Sequence, residues 1–539
     1  ETSSEREIGV TGGSYSFGDT ATLSMYPSER VKATYELDSY FPDNTKVVFS
    51  VSNKNIAEVS EDGVITAKKK GSTTVTATVY YNGKRTYNSG RISITVKDPF
   101  TITSIYLMSY KGLGGEVTVP SNRGITTIQS YAFSNYEFID KDLSAGDVID
   151  EEDPYYIKQW FIGDRDEEKT DRITKVIIPE GVKTIESYAF ANLTSLTEVV
   201  LPSTLEKIGV GAFYGCTALK TVNFDNVKFI NEKAFYGCEN LTNPKFTSIV
   251  SIGNYSFQDC TLIDTVTLPE TAQSLGIGAF SGCSRLGRLT IRAGLVKIGS
   301  KAFEKCSSLK KASVNASVIS SYAFDGCSAL TDMTFGKDVA VIGEYAFRGT
   351  GLSEFKIDGA NEFITFKDND RSIVYKYETV GNTKEYNELV VAAPRANLGD
   401  VNVEAKIIAT GAFSGNISLR SINAPNIENV GNYAFAGCIN LTSVKIDAAK
   451  TIGDYAFYGC SSLTATPDLK DITSIGSYAF SMTAVKSVII PNDAVVGNYA
   501  FAGCYNNDTK DYSLTDVTIG ENATIGEGVF FNGWGGILE

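Results

Sequence analysis

From about residue 120 onward, the apolar positions of the chain fall on a fixed frame. Its anchor is a phenylalanine: Phe133, Phe190, Phe213, Phe235, Phe257, Phe280, Phe303, Phe324, Phe347, Phe413, Phe435, Phe457, Phe480, Phe501 and Phe530. Most successive anchors lie 21 to 23 residues apart, and thirteen of the fifteen follow an alanine. Six residues after the anchor stands a leucine, as at Leu196, Leu219, Leu286 and Leu441. Nine and eleven residues after it stand apolar pairs such as Val199/Leu201, Val222/Phe224, Val266/Leu268, Leu289/Ile291 and Val444/Ile446. Apolar residues spaced two apart predict a short strand with one buried face. Before the anchor come another apolar residue and often a glycine, as in Ile208-Gly209 and Ile452-Gly453. Such a unit is too small to bury its own apolar face. Stacked neighbours close a continuous core, which is the logic of a solenoid.

The pattern I-G-x-Y-A-F-x-G-C-x-x-L-x-x-V-x-I covers roughly 120–539 and resembles the BspA-like leucine-rich repeats of bacterial surface proteins. That resemblance implies a mainly β chain, a curved solenoid with one short parallel strand per repeat, and display outside the cell. It also implies a role in adhesion or in binding host matrix proteins, but it carries no particular ligand.

Residues 1–98 lie off this frame. Strand-like runs at 46–51 and 73–79 alternate with turn clusters, and Asp62-Gly63 is a favourable hairpin turn. Short strands at regular spacing support a β-sandwich. The stretch Ser52-Asn53, Ile56 to Ala67 and Gly71 resembles the bacterial Ig-like domain of group 2, a module that serves as a spacer or stalk. The expected organisation is therefore an Ig-like domain at 1–98 and a leucine-rich-repeat solenoid at 99–539. A solenoid also needs its first edge covered, and the N-terminal domain is placed to do so.

Two wide gaps interrupt the frame. The first, 57 residues after Phe133, holds an acidic insertion at about 137–171. Asp140, Asp142, Ser144 and Glu151 fall there at positions 1, 3, 5 and 12 of a calcium loop. Ala145 stands where that loop needs glycine and no helical pattern flanks it, so a solvated acidic loop is the better reading. Its aromatic centre (Tyr155, Tyr156, Trp160, Phe161) suggests a folded excursion. The second gap, 66 residues after Phe347, is three repeat lengths long, and its strand-like runs mark 358–408 as a variant long repeat with a projecting hairpin.

Composition removes whole classes of chemistry. The 539 residues include no histidine, which excludes Ser-His-Asp and Cys-His catalysis and His-ligated zinc or haem. With 63 acidic and 49 basic residues the net charge is −14, which gives no electrostatic reason to bind nucleic acid or an anionic bilayer. No apolar run reaches the ~18 residues of a membrane span. The chain opens on Glu-Thr-Ser-Ser-Glu-Arg rather than Met, which reads as a mature or recombinant fragment with any targeting signal removed; the resemblance implies an extracellular place on the bacterial cell surface. No cofactor, metal or catalytic residue is expected. The sorting-like Leu268-Pro269-Glu270-Thr271-Ala272 and the nucleotide-loop-like Gly294 to Lys301 are positions of the repeat.

All nine cysteines stand three residues after an anchor: Cys216, Cys238, Cys260, Cys283, Cys306, Cys327, Cys438, Cys460 and Cys504. Adjacent coils sit about 4.7–4.9 Å apart. In-register Cβ atoms keep that spacing, which exceeds the ~3.8 Å typical of a disulfide. The cysteines thus read as a structural ladder of small buried thiols, each bonded to a neighbouring turn's backbone.

Residues between the buried strand positions should point outward: Thr221, Asn223, Thr265, Thr267, Arg288, Thr290, Lys311, Ser313, Asp332, Thr334, Ser421, Asn423, Ser443 and Lys445. Their hydroxyl, amide and mixed-charge chemistry suits a protein surface and lacks aromatic platforms for sugar stacking. A second repeated position, two residues before the anchor, is tyrosine in nine repeats, which points to packing between coils. The expectation is a non-enzymatic surface protein that binds an extracellular protein over an extended face. The alternative is a carbohydrate-binding surface protein of a glycan-harvesting system, using aromatics of the two insertions such as Trp160.

Overall fold

The computed structural model describes residues 6–12, 20–27, 30–37, 44–112, 114–134, 173–368, 370–504 and 512–531. The acidic insertion, with Asp140, Asp142, Ser144, Glu151 and Trp160, lies outside the described residues. The fold is mainly β. The chain divides into two compact units, 1–223 and 224–539.

The first unit begins with two four-stranded sheets. One orders the strands Arg6–Gly12, Arg30–Leu37, Val64–Ala67 and Ala57–Val59; the other orders Thr20–Met25, Lys84–Val96, Gly71–Tyr81 and Thr45–Val51. Alternate residues turn inward because strand side chains have a period of two. Leu23, Met25, Val31, Ile65, Val75 and Ile94 form the sandwich core. Gly63 makes the expected turn between Ala57–Val59 and Val64–Ala67 at φ 90°. A Cβ there would lie 2.4 Å from the Ala33 carbonyl oxygen, so only glycine fits.

The edge of the first coil is covered differently from the expectation. A short antiparallel pair, Phe100–Thr103 with Tyr106–Tyr110, supplies the strand that pairs in parallel with Thr127–Ile128. No strand of residues 1–98 does so among the described residues; the linker after the sandwich has its own strand-forming run. Asp98 marks this junction. It accepts the Phe100 amide at 3.1 Å and pairs with Lys70 at 3.2 Å and Arg123 at 3.1 Å.

Most coils carry the strand that the period-2 pairs predict, and also a second, two-residue strand just before the anchor. The first of these is reduced to isolated bridges or open chain in the coils of Phe213, Phe235 and Phe457. In the first unit the former stack as Gly115–Thr118, Ile173–Ile177 and Glu198–Val200. The latter stack as Thr127–Ile128, Thr184–Ile185 and Lys207–Ile208. The second unit repeats both ladders, and all of these pairings are parallel. In the variant repeat, Ile373–Val380 and Thr383–Ala392 form an antiparallel hairpin with an exposed tip. Its returning strand rejoins the stack by pairing Glu388-Leu389 with Ile407-Ile408.

Between the two ladders the chain runs through the anchor, flanked by two left-handed residues. The position two before the anchor has φ between 53° and 68° in all fifteen repeats. The position two after it has φ between 58° and 74° wherever it is described. Glycine serves most of the later positions, but the earlier one is tyrosine in nine repeats. A left-handed non-glycine residue costs about 1–2 kcal/mol. The tyrosines recover it by stacking: Tyr433, Tyr455 and Tyr478 lie ring to ring at 4.7 Å, and one such pair contributes about 0.5–1.5 kcal/mol. Where the next coil has glycine there, the preceding ring folds over it. A Cβ on Gly278 would meet the Tyr255 ring at 2.5 Å. The tyrosine column is therefore half-buried packing between coils.

The anchors are stacked in the same way. Phe235, Phe257 and Phe280 follow at 5.2 and 5.0 Å, and Phe435, Phe457 and Phe480 at 5.0 Å, with planes within 11°. The glycine four before the anchor has a different reason, close approach: a Cβ on Gly299 would lie 2.3 Å from the backbone of Gly276. Ser320 occupies that place in its own coil, and its Oγ is buried with no hydrogen-bond partner.

Two stability outcomes follow. At Tyr455, substitution by alanine removes three ring contacts, to Tyr433, Tyr458 and Tyr478, yet keeps the left-handed strain, whereas glycine relieves it. Denaturant unfolding should show Y455G more stable than Y455A by about 1 kcal/mol, and the reverse order would remove the strain argument. Ser320→Ala deletes an unpaired buried hydroxyl and should raise the unfolding free energy by about 1 kcal/mol, measured in the same way.

Candidate functional site

The predicted strand face is built by alternation. In Thr265–Leu268 the burial pattern runs exposed, buried, exposed, buried, which turns Thr265 and Thr267 out and Val266 and Leu268 in. Each of the fourteen proposed face residues is exposed or half-buried, while its partner positions are buried or nearly so. Parallel register sets them in rows. Thr265, Arg288, Lys311 and Asp332 form one row; Thr267, Thr290, Ser313 and Thr334 form the next. Asp332 receives Lys356 at 2.7 Å and Lys311 at 3.1 Å, and these two, Lys356 first, hold its carboxyl below the usual range.

The other face residues do not join that block. Ser421 pairs in register with Ser443 and Asn423 with Lys445, on a separate three-stranded sheet. There Ser421 Oγ donates to Asp400 at 2.7 Å, Asn423 Nδ2 donates to Asn402 Oδ1 at 2.8 Å, and Lys445 lies 3.7 Å from Asp447. Thr221 forms an isolated bridge with Glu198 in the first unit, and Asn223 is exposed nearby in sequence. The face of the second unit is divided at the variant repeat: Lys356–Ile357 and Gly399–Asn402 belong to different sheets, and the hairpin between them in sequence joins the other ladder.

The cysteine column is uniform. The thiols of Cys216, Cys260, Cys283, Cys306, Cys327, Cys438, Cys460 and Cys504 each donate to the carbonyl of the preceding coil's anchor, at 3.1–3.4 Å. All nine cysteines are buried and none is in a disulfide. Where the column carries another residue, the bond changes hands. Thr483 Oγ1 bonds its own anchor carbonyl at 2.7 Å, and the Asn416 amide bridges Ala393 and Ala396. Burial pushes the Cys216 and Cys438 thiols up to about 12 and Cys504 to about 11, with Cys260, Cys283, Cys306 and Cys460 raised as well. Thiols held protonated in this way are poor nucleophiles and poor metal ligands.

Reading the repeat by its strand pairs overlooks the second ladder. Over four coils, residues six to three places before the anchor line a groove of ≈ 440 Å³, reached by Glu388 from the hairpin. Its side chains include Asn429, Thr451, Ser474, Asn432 and Asp454. Only the Ile-Gly pairs, as at Ile452-Gly453, mark this segment in sequence; its outward residues vary from coil to coil.

Parallel coils, a buried anchor column and outward polar rows define a leucine-rich-repeat solenoid behind an Ig-like sandwich. The BspA type leucine-rich repeat region matches residues 162–264, 250–369 and 396–508 in six copies, and the bacterial Ig-like domain of group 2 matches 29–88. The chain belongs to the BspA-type leucine-rich repeat family, whose members are surface proteins. No curated protein matches it in sequence. Among solved structures it is similar to a leucine-rich cell surface protein of Faecalibacterium prausnitzii, at 23% identity and TM-score 0.45, over 77% of this chain and 90% of that one. It is similar too to a leucine-rich repeat protein of Bacteroides ovatus, at 20% and 0.45, over 81% and 92%. The pneumococcal vaccine antigen PcpA matches at 18% and 0.35, over 78% and 84%.

The thiol column has a measurable signature. Native protein should leave its nine cysteines unreactive toward a disulfide reagent at pH 8, and all should react in denaturant. Unfolded thiols lose their protons from about pH 8.5, while burial raises Cys216, Cys260, Cys283, Cys306, Cys438, Cys460 and Cys504 above that in the fold. The unfolding free energy should therefore hold below that pH and fall above it, by up to about 1.4 kcal/mol per pH unit per thiol. Cys460→Ala should make that fall shallower in denaturant titrations between pH 8 and 10; an unchanged slope would refute the assignment.

Proposed function

We propose that the protein is a non-enzymatic binding protein of the bacterial cell surface, with residues 1–98 as an Ig-like spacer and residues 99–539 as the recognising solenoid. Its ligand in this reading is an extracellular protein, contacted over the strand face. The observation that carries it is the in-register pair of rows from Thr265 and Thr267 to Asp332 and Thr334. Rows of hydroxyls crossed by Arg288, Lys311 and Asp332 offer many weak polar contacts and mixed charge over several coils. That arrangement suits a large, flat partner better than a small molecule, which favours concave, mostly apolar pockets. Family membership supports display at the surface.

The test is a binding screen against matrix proteins and mucins, repeated with Arg288, Lys311 and Lys445 all changed to glutamate. Loss of at least tenfold in affinity for the captured protein is expected. Because Lys445 lies on the separate sheet, the R288E/K311E pair and K445E alone assign the contact to one block or the other. Unchanged binding in the triple variant would exclude the strand face.

A further inference from the structure

The groove on the second ladder differs from the strand face in shape and chemistry. Its floor is made by four successive rungs, Ile407-Ile408, Asn429-Val430, Thr451-Ile452 and Ser474-Ile475, paired in parallel. Main-chain groups there are committed to the stack: the amides of Gly431, Gly453 and Gly476 donate to Ile408, Val430 and Ile452 of the preceding coil at 2.7–2.9 Å. An extended peptide therefore finds no open edge to pair with. Recognition falls to side chains, and those present are amide, hydroxyl and carboxylate. Asn429 and Thr451 are already joined, Thr451 Oγ1 donating to Asn429 Oδ1 at 2.7 Å. Glu388 is neutralised by Lys376 at 2.8 Å, and Asp454 accepts the Ser477 amide at 2.6 Å. No lysine or arginine is among the described residues that line the groove, which disfavours phosphate, sulfate or carboxylate ligands.

We propose that this groove binds a neutral polyhydroxylated chain, an oligosaccharide, lying along the stack with its hydroxyls bonded to Asn429, Thr451, Ser474 and Asp454. Hydroxyls both donate and accept, so they match a surface of mixed amide, hydroxyl and carboxylate. The exposed side of Ile407 supplies an apolar patch for a sugar ring's C–H face. Four rungs about 4.8 Å apart span about 14 Å, more than one monosaccharide covers. Hexasaccharides should thus bind more tightly than their disaccharides. The site stands apart from the strand face, and its occupancy does not depend on a protein ligand there.

Isothermal titration calorimetry of the full chain with maltohexaose, cellohexaose and mannohexaose tests it. At least one should bind, with affinity reduced at least tenfold by Thr451→Arg, which fills the groove, and severalfold by Thr451→Val, which removes only the hydroxyl from a strand position valine favours. Binding should be unchanged by the R288E/K311E/K445E variant. Three results would overturn the proposal: none of the three sugars binding at millimolar concentration, both Thr451 variants binding as the unmodified protein does, or the strand-face variant abolishing sugar binding.

Discussion

The structure depends on a reversal of hydrogen-bond direction within its regular coils. Through the anchor segment, amides donate forward to the next coil: Tyr455 to Ser477, Phe457 to Ala479 and Gly459 to Ser481. Along the short strand before it, amides donate backward, as Gly453 does to Val430. Two left-handed residues make this possible by turning the chain sharply on either side of the phenylalanine. Buried backbone polar groups must find partners; a coil satisfies some within its own turns, as Tyr458 does on Tyr455, and the rest in its neighbours. Everything else is fitted around that constraint: phenylalanine rings fill the inside of the bend, thiols cap its carbonyls, and glycine or stacked tyrosine tolerates the geometry.

That constraint also explains what could be read in advance. The phenylalanine frame, the leucine after it and the period-2 pairs are spelled out because each is a buried position with few acceptable residues. The strand face followed from them by alternation, and the fourteen named positions do point outward. Their division into separate blocks was not legible, since it depends on which strands pair across the hairpin of Ile373–Ala392, which no local pattern encodes.

The left-handed positions were hidden for another reason. Glycine after the anchor hints at positive φ, but tyrosine before it argues against, because bulky residues rarely adopt that conformation. Only the ring-on-ring contact between neighbouring coils, absent from any single repeat, offsets the strain. The groove was obscured in the same way: Ile407, Asn429, Thr451 and Ser474 share a place but not a residue type. A position that packs inward repeats; one that faces solvent drifts, and a reading by repetition passes over it.

The paired forward and backward bonds have a mechanical consequence. A coil cannot be loosened on one side alone, because its neighbour holds it by two ladders and by the bend between them. Tension applied along the stack meets a series of nearly identical interfaces rather than one cooperative core, since repeat arrays gain their stability interface by interface. Under load such a chain yields coil by coil from a free end, dissipating energy at each release. The coils not yet reached keep their outward rows in register.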